Sequence, residues 1–277
     1  MLSLILRAIL CDEASPTEVS IFPRSATESP SFFVPDYDDR VSINEGKPEH
    51  SHYFTAMAPA AESEIEYREV TLGPFHTRVA TARGVFSHEH LDIGTSILLR
   101  TVDELEAPLT FQSAADVGCG WGAIALYLAL ARKNAVDGAG ETQPWRVVAA
   151  DINDRALDLT RRNASIHALP QIEPMRAEDP SARDSFDLIV SNPPIRIGKA
   201  ALHGILTAWL PRLRVGGAAY LVVAKHLGAD SLQRWLTEQF APGSGSMLSA
   251  EGVPVSGEVG RVQTAKGFRI LRVRRNA

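Results

Sequence analysis

The stretch Asp116-Val117-Gly118-Cys119-Gly120-Trp121-Gly122 sits between two apolar runs. Ala114–Val117 before it has the composition of a short buried strand, and Ala123–Arg132 after it reads as an apolar helix. Three glycines at alternate positions between a strand and a helix let the backbone adopt positive φ and approach a ligand closely. The spacing is Gly-x-Gly-x-Gly, not the Gly-x-Gly-x-x-Gly of dinucleotide sites. Asp116 adds a carboxylate that would repel a pyrophosphate. Such a turn suits the cationic end of a ligand, an α-amino group or a sulfonium.

Strands and helices alternate from this turn onward. Arg146–Ala150 reads as a second strand, Asp154–His167 as an amphipathic helix, Ile172–Arg176 and Phe186–Val190 as strands three and four. Lys199–Leu213 and Asp230–Phe240 are expected helices around a fifth strand, Ala218–Ala224. Val262 and Phe268–Val273 close the pattern as strands. Repeated strand–helix units imply a parallel α/β sheet covered on both faces. Upstream, 65–72 and 75–81 form an expected hairpin about Gly73-Pro74, and Thr95 or Ser96 is expected to cap a short helix. Asn134 to Pro144 is an expected polar loop. Residues 1–50 lack periodicity and are rich in Ser, Pro, Glu and Asp, the texture of a disordered tail. Residues 51–277 then form the folded domain.

Charge is distributed unevenly. The net charge is −5, and residues 1–50 hold four basic side chains against nine acidic ones, so the remainder is neutral. The chain as a whole does not have the basic surplus of a nucleic-acid-binding domain. Its end is locally basic, with Lys266, Arg269, Arg272, Arg274 and Arg275 and no acid after Glu258. That run reads either as a charge-guarded edge strand or as a phosphate-contacting patch. Two cysteines far apart, Cys11 and Cys119, argue against a disulfide framework and fit a cytoplasmic setting. No run reaches the roughly 20 apolar residues that span a bilayer, so no membrane partner is expected. His88 and His90 show no metal-ligand spacing, and no metal is expected.

Two further segments carry chemistry. The second strand ends in Asp151-Ile152-Asn153; Asp151 can accept both hydroxyls of a ribose, or simply cap the next helix, and Ile152 can lie against an adenine. The fourth strand runs into Asn192-Pro193-Pro194-Ile195. The two prolines remove backbone donors and stiffen the turn. The Asn192 side-chain oxygen and the Pro193 carbonyl can then grip the N–H groups of one planar amine. Two acceptors favour the pyramidal form of such an amine and stabilise the positive charge that develops on it. Arg196 and Lys199, just beyond, can meet a phosphate or remain solvated. Cys119 reads as a packing residue.

This combination resembles the class I S-adenosylmethionine-dependent methyltransferases. The resemblance implies a doubly wound, mostly parallel seven-stranded sheet of Rossmann-like type with an N-terminal β-hairpin extension, and S-adenosylmethionine as cofactor. It places the methionine part on Asp116, Gly118, Gly120 and Gly122, the ribose on Asp151, and the adenine beside Ala177, Glu178 or Asp179, with Glu178 the residue chosen. Val85-Phe86-Ser87 and Asp92-Ile93-Gly94-Thr95 resemble that family's upstream elements over the cofactor.

Asn192-Pro193-Pro194-Ile195-Arg196-Ile197-Gly198-Lys199, with His52-Tyr53-Phe54 and Gly84-Val85-Phe86-Ser87, is most similar to the ribosomal small-subunit guanine-N2 methyltransferases and their short actinobacterial relatives, the methyltransferase small domain proteins. That implies N2-methylation of guanine in ribosomal RNA, with Asn192, Pro193 and Pro194 catalytic, a ribosomal RNA or subunit as partner, and a monomer. Ile195 departs from the pattern, because an aromatic residue there would stack on a flipped base. The alternatives are methylation of a protein glutamine or a small planar amide or amine, and an RNA-associated protein that binds the cofactor without turnover.

Overall fold

The structure is a computed structural model that describes residues 20–21, 57–137, 144–178 and 185–276. Seven strands make the main sheet: β4 (Ser113–Val117), β5 (Arg146–Asp151), β6 (Ile172–Arg176), β7 (Phe186–Ser191), β8 (Leu213–Ala224), β9 (Gly257–Ala265) and β10 (Phe268–Arg275). Their order is β6-β5-β4-β7-β8-β10-β9. The first five run parallel, β10 is antiparallel to β8, and β9 is antiparallel to β10. This is the expected doubly wound fold. The chain winds outward from β4 to β6, then returns to lay β7 on the other side of β4, and the crevice between β4 and β7 is the topological switch point.

Among the described residues five α-helices cover the sheet: α1 (Ile93–Glu106), α2 (Ala123–Asp137), α3 (Asp154–Ile166), α4 (Lys199–Trp209) and α5 (Ala229–Gln239). One core lies under α1, α2 and α3, the other under α4 and α5. In the second, Trp209 stacks on Phe186 with ring centroids 6.0 Å apart. Ile124 to Leu130 of α2 are all buried, so this helix is apolar all round. A separate hairpin covers its outer side.

That hairpin is β2 (Glu66–Leu72) and β3 (Phe75–Thr81), joined by β1 (Ser20–Ile21) in a three-stranded sheet. Its Gly73 turn packs against Tyr127 of α2; a Cβ there would stand 2.8 Å from the Tyr127 ring. Asn163 of α3 stitches it down. Its Oδ1 accepts the Ala80 N–H (2.6 Å), and its Nδ2 donates to the carbonyls of Ala80 (2.9 Å) and Trp121 (2.8 Å). The expected disordered tail and the His52-Tyr53-Phe54 segment otherwise lie outside the described residues.

Three expectations change. α1 has 14 residues and is capped by Asp92, whose carboxylate accepts the Thr95 N–H at 2.8 Å, so neither Thr95 nor Ser96 is the cap. The expected loop after Arg132 is helical as far as Asp137, and residues 138–143 lie outside the described ones. The basic C-terminal run is not an edge strand, since β10 lies between β8 and β9. Its arginines serve the fold: Arg269 pairs with Asp230, Arg274 with Glu106 (3.2 Å), and Arg275 donates to the carbonyls of Pro211 and Leu213.

Candidate active site

A cavity opens at the switch point, beyond the carboxyl ends of β4, β5 and β7. The turn after β4 supplies Gly118, Cys119, Gly120 and Trp121, and the end of β5 supplies Asp151, Ile152 and Asn153. The turn after β7 supplies Asn192, Pro194 and Ile197. A fourth wall comes from upstream, through Val85, Phe86, Ser87, Leu91, Asp92 and Thr95. The glycine and Asn-Pro-Pro turns are far apart in sequence but lie side by side, because β4 and β7 pair with Asp116 opposite Val190. The buried Ser191 hydroxyl ties them together by donating to the Val117 carbonyl at 2.5 Å.

Gly118 and Gly120 have φ of +81° and +57° and line the cavity. A Cβ on Gly118 would come 3.8 Å from the Asn192 carbonyl and the Pro194 ring, in the space between the two turns. Gly122 has another task. Its φ is +91°, and a Cβ would stand 3.0 Å from Thr160 Oγ1, so it lets α2 start against α3 and does not reach the cavity.

Asp116 also turns away. It is fully buried and is not on the cavity wall; its Oδ2 accepts the Ala125 N–H of α2 at 2.9 Å. The expected contact with a ligand's cationic end is corrected accordingly. Burial pushes its carboxyl up to about 8, with the neighbouring Asp151 charge adding to the rise and the Ala125 bond opposing it.

Asp151 stands at the wall. Its Oδ2 accepts the Gly120 N–H (3.0 Å) and its Oδ1 the Asn153 N–H (2.9 Å). Desolvation nevertheless raises its pKa despite these bonds. Each oxygen keeps a further lone pair, and two ligand hydroxyls would supply the missing donors. The helix cap that Asp151 could have provided is made by Asn153, whose Oδ1 accepts the Arg155 N–H at 3.0 Å. Asn153 also holds the upstream wall, donating from Nδ2 to the Gly84 carbonyl (3.1 Å). Trp121 does the same through Nε1 to the Ser87 carbonyl (3.2 Å).

Ile152 and Ala177 line the cavity, and Glu178 does not. Glu178 accepts from both Nε and Nη2 of Arg176, at 3.1 and 3.0 Å; Asp179 lies outside the described residues. Cys119 is buried, its Sγ 3.5 Å from Thr160 Oγ1, and burial pushes its thiol well above the usual range. It packs rather than reacts.

In the Asn-Pro-Pro turn, Asn192 and Pro194 face the cavity. The Pro193 carbonyl accepts the Ile195 N–H at 2.8 Å, so one of its lone pairs is already spent within the turn. Asn192 Nδ2 lies 3.1 Å from Asp92 Oδ2 and 2.9 Å from Thr95 Oγ1. Ile195 is half-buried against the α4–α5 core and does not line the cavity; Arg196 and Lys199 are exposed outside it. Phe86, by contrast, is 45% exposed and on the wall. Sequence reasoning missed the parts played by Ser191, Asn153, Asn163 and Thr95, which are contacts between distant segments. Among the described residues no group of His, Cys, Asp or Glu could hold a metal ion, and no helix is long and apolar enough to cross a membrane.

The methyltransferase small domain family model matches residues 76–243, a span that contains both turns. The chain belongs to the methyltransferase small domain family. The methyl donor of this family is S-adenosylmethionine, and the glycine turn and the Asp151 carboxylate stand together at the cavity wall. The chain is 30% identical over 227 residues to the uncharacterized protein YbxB of Bacillus subtilis, covering 81% of this chain and 98% of that one. It is 27% identical over 219 residues to the ribosomal RNA small subunit methyltransferase C of Serratia proteamaculans, 79% of this chain and 56% of the relative. It therefore spans about half the length of that ribosomal relative. The fold matches that of a T. thermophilus 16S rRNA guanine-N2 methyltransferase, solved with AdoMet and guanosine, at a TM-score of 0.56 and 19% identity, over 78% of this chain and 52% of the other.

Proposed function

We propose that this S-adenosylmethionine-dependent methyltransferase methylates an exocyclic amine, the N2 of guanine in ribosomal RNA. One observation carries the reading: Asn192 lines the same cavity as Gly118, Gly120 and Asp151. Asp151 and the glycine turn would hold the donor by its ribose and methionine ends. The donor supplies an electrophilic methyl carbon when bound. Asn192 Oδ1 accepts an N–H from the incoming amine and holds its nitrogen toward the cavity. The second lone pair of the Pro193 carbonyl is available for the other N–H. Alignment and stabilisation of developing positive charge are then the protein's contribution. Phe86, an exposed aromatic on the wall, supplies the flat face that Ile195 lacks, which favours a base as acceptor. The ribosomal relatives named above support the same substrate class.

The test is tritiated methyl transfer to small ribosomal subunits, naked ribosomal RNA and a protein release factor, with wild type and Asn192→Ala side by side. Label on guanine N2, reduced by about 100-fold or more in the variant, is expected. Label on glutamine, or equal activity in the variant, rejects the reading.

A further inference from the structure

The amide of Asn192 is not free to choose which end it presents. Its Nδ2 faces Asp92 Oδ2 at 3.1 Å and Thr95 Oγ1 at 2.9 Å. An ionised carboxylate only accepts, so the end facing it must be the NH2. The Thr95 hydroxyl is itself 3.3 Å from the same carboxylate oxygen. It donates there, which leaves a lone pair for Asn192. Both amide protons are then spent on the upstream wall, and the carbonyl oxygen is the end left for a ligand.

The corner that fixes this arrangement is built around Asp92. Asp92 caps α1, accepting the Thr95 N–H at 2.8 Å. Gly94 lets Phe268 close the corner: a Cβ there would lie 2.8 Å from the Phe268 ring and 2.9 Å from Asp92 Oδ2.

We propose that Asp92, relayed in part by Thr95, is a positioning residue that locks the polarity of Asn192. With the oxygen outward, the site grips acceptors that bring an N–H, such as a primary amine or amide nitrogen. It disfavours ring nitrogens that bring only a lone pair, because their acceptor would meet another acceptor. This rests on the reading of Asn192 as the amine clamp.

Asp92→Asn tests it. The variant is isosteric and still a good helix cap, with its amide oxygen in the place of Oδ2, but a neutral acceptor there holds the Asn192 NH2 less firmly than the carboxylate does, so Asn192 can turn over. The first readout is the hydrogen-exchange rate of the Asn192 side-chain NH2 by nitrogen-15 NMR, assigned by its loss in Asn192→Ala. Exchange about 10-fold faster in Asp92→Asn is expected, since one charge-assisted bond is removed. The second is tritiated methyl transfer to small ribosomal subunits: kcat falls by about 10-fold to 100-fold while KM for S-adenosylmethionine stays within about threefold. Thr95→Val should act in the same direction and Thr95→Ser should restore both readouts. Asp92→Asn added to Asn192→Ala should cost nothing further. An unchanged exchange rate or unchanged kcat in Asp92→Asn, with Asn192→Ala inactive, overturns the polarity lock alone. Full activity of Asn192→Ala overturns the clamp reading instead, and the exchange rate then judges the lock by itself.

Discussion

Asp151 holds its carboxylate between the glycine turn and the start of α3, bonded by the Gly120 and Asn153 N–H groups, with burial still pressing against its charge. Two ribose hydroxyls would relieve that pressure, so Asp151→Ala should weaken S-adenosylmethionine binding by about 3 kcal/mol, roughly 100-fold, as read by calorimetry. Asp116 lies on the adjacent strand β4 and behaves differently. Its carboxyl is pushed up to about 8 because it is sealed in the core with a single backbone donor. A folded pKa above the unfolded one contributes stability at low pH that is lost as pH rises toward 8. Relative to Asp116→Asn, the wild type should therefore lose melting temperature between about pH 4 and pH 8 and run level above that. Parallel melting curves across that range would remove the argument. Sequence alone made both aspartates ligand contacts. It could not separate them, because burial and side-chain direction depend on what packs over the strand end.

At the scale of elements, the glycine turn divides its labour. Gly118 and Gly120 keep the cavity wall open, while Gly122 lets α2 begin tight against Thr160 of α3. Gly122→Ala has to place a Cβ at φ +91° and 3.0 Å from a threonine oxygen. It should cost about 1–3 kcal/mol in urea unfolding. The alternation of strands and helices was legible because apolar spacing repeats locally. The register of α1 was not: Thr95 and Ser96 look like caps in sequence, yet Asp92 reaches the Thr95 N–H and sets the start three residues earlier. Competing caps of similar propensity are decided by which one the rest of the fold can hold.

Over the whole molecule, Arg269, Arg274 and Arg275 of the basic C-terminal strand are engaged by Asp230, Glu106 and backbone carbonyls. Arg196 and Lys199, in contrast, are exposed beyond the Asn-Pro-Pro turn and have no ion-pair partner among the described residues. If the acceptor is RNA, the double variant Arg196→Ala/Lys199→Ala should weaken substrate binding and lower the slope of log affinity against log salt by about 2. A slope equal to wild type would place the phosphates elsewhere. Sequence by itself determined the strand–helix order, the three positive-φ glycines and the position of Asn192 after a strand, because these are local properties of backbone and spacing. The tertiary structure decided which of those groups meet. Only the pairing of β4 with β7 brings the two turns to one crevice, and only the packing of α1 against them gives Asn192 an acceptor-only neighbour that fixes which end of its amide faces a ligand.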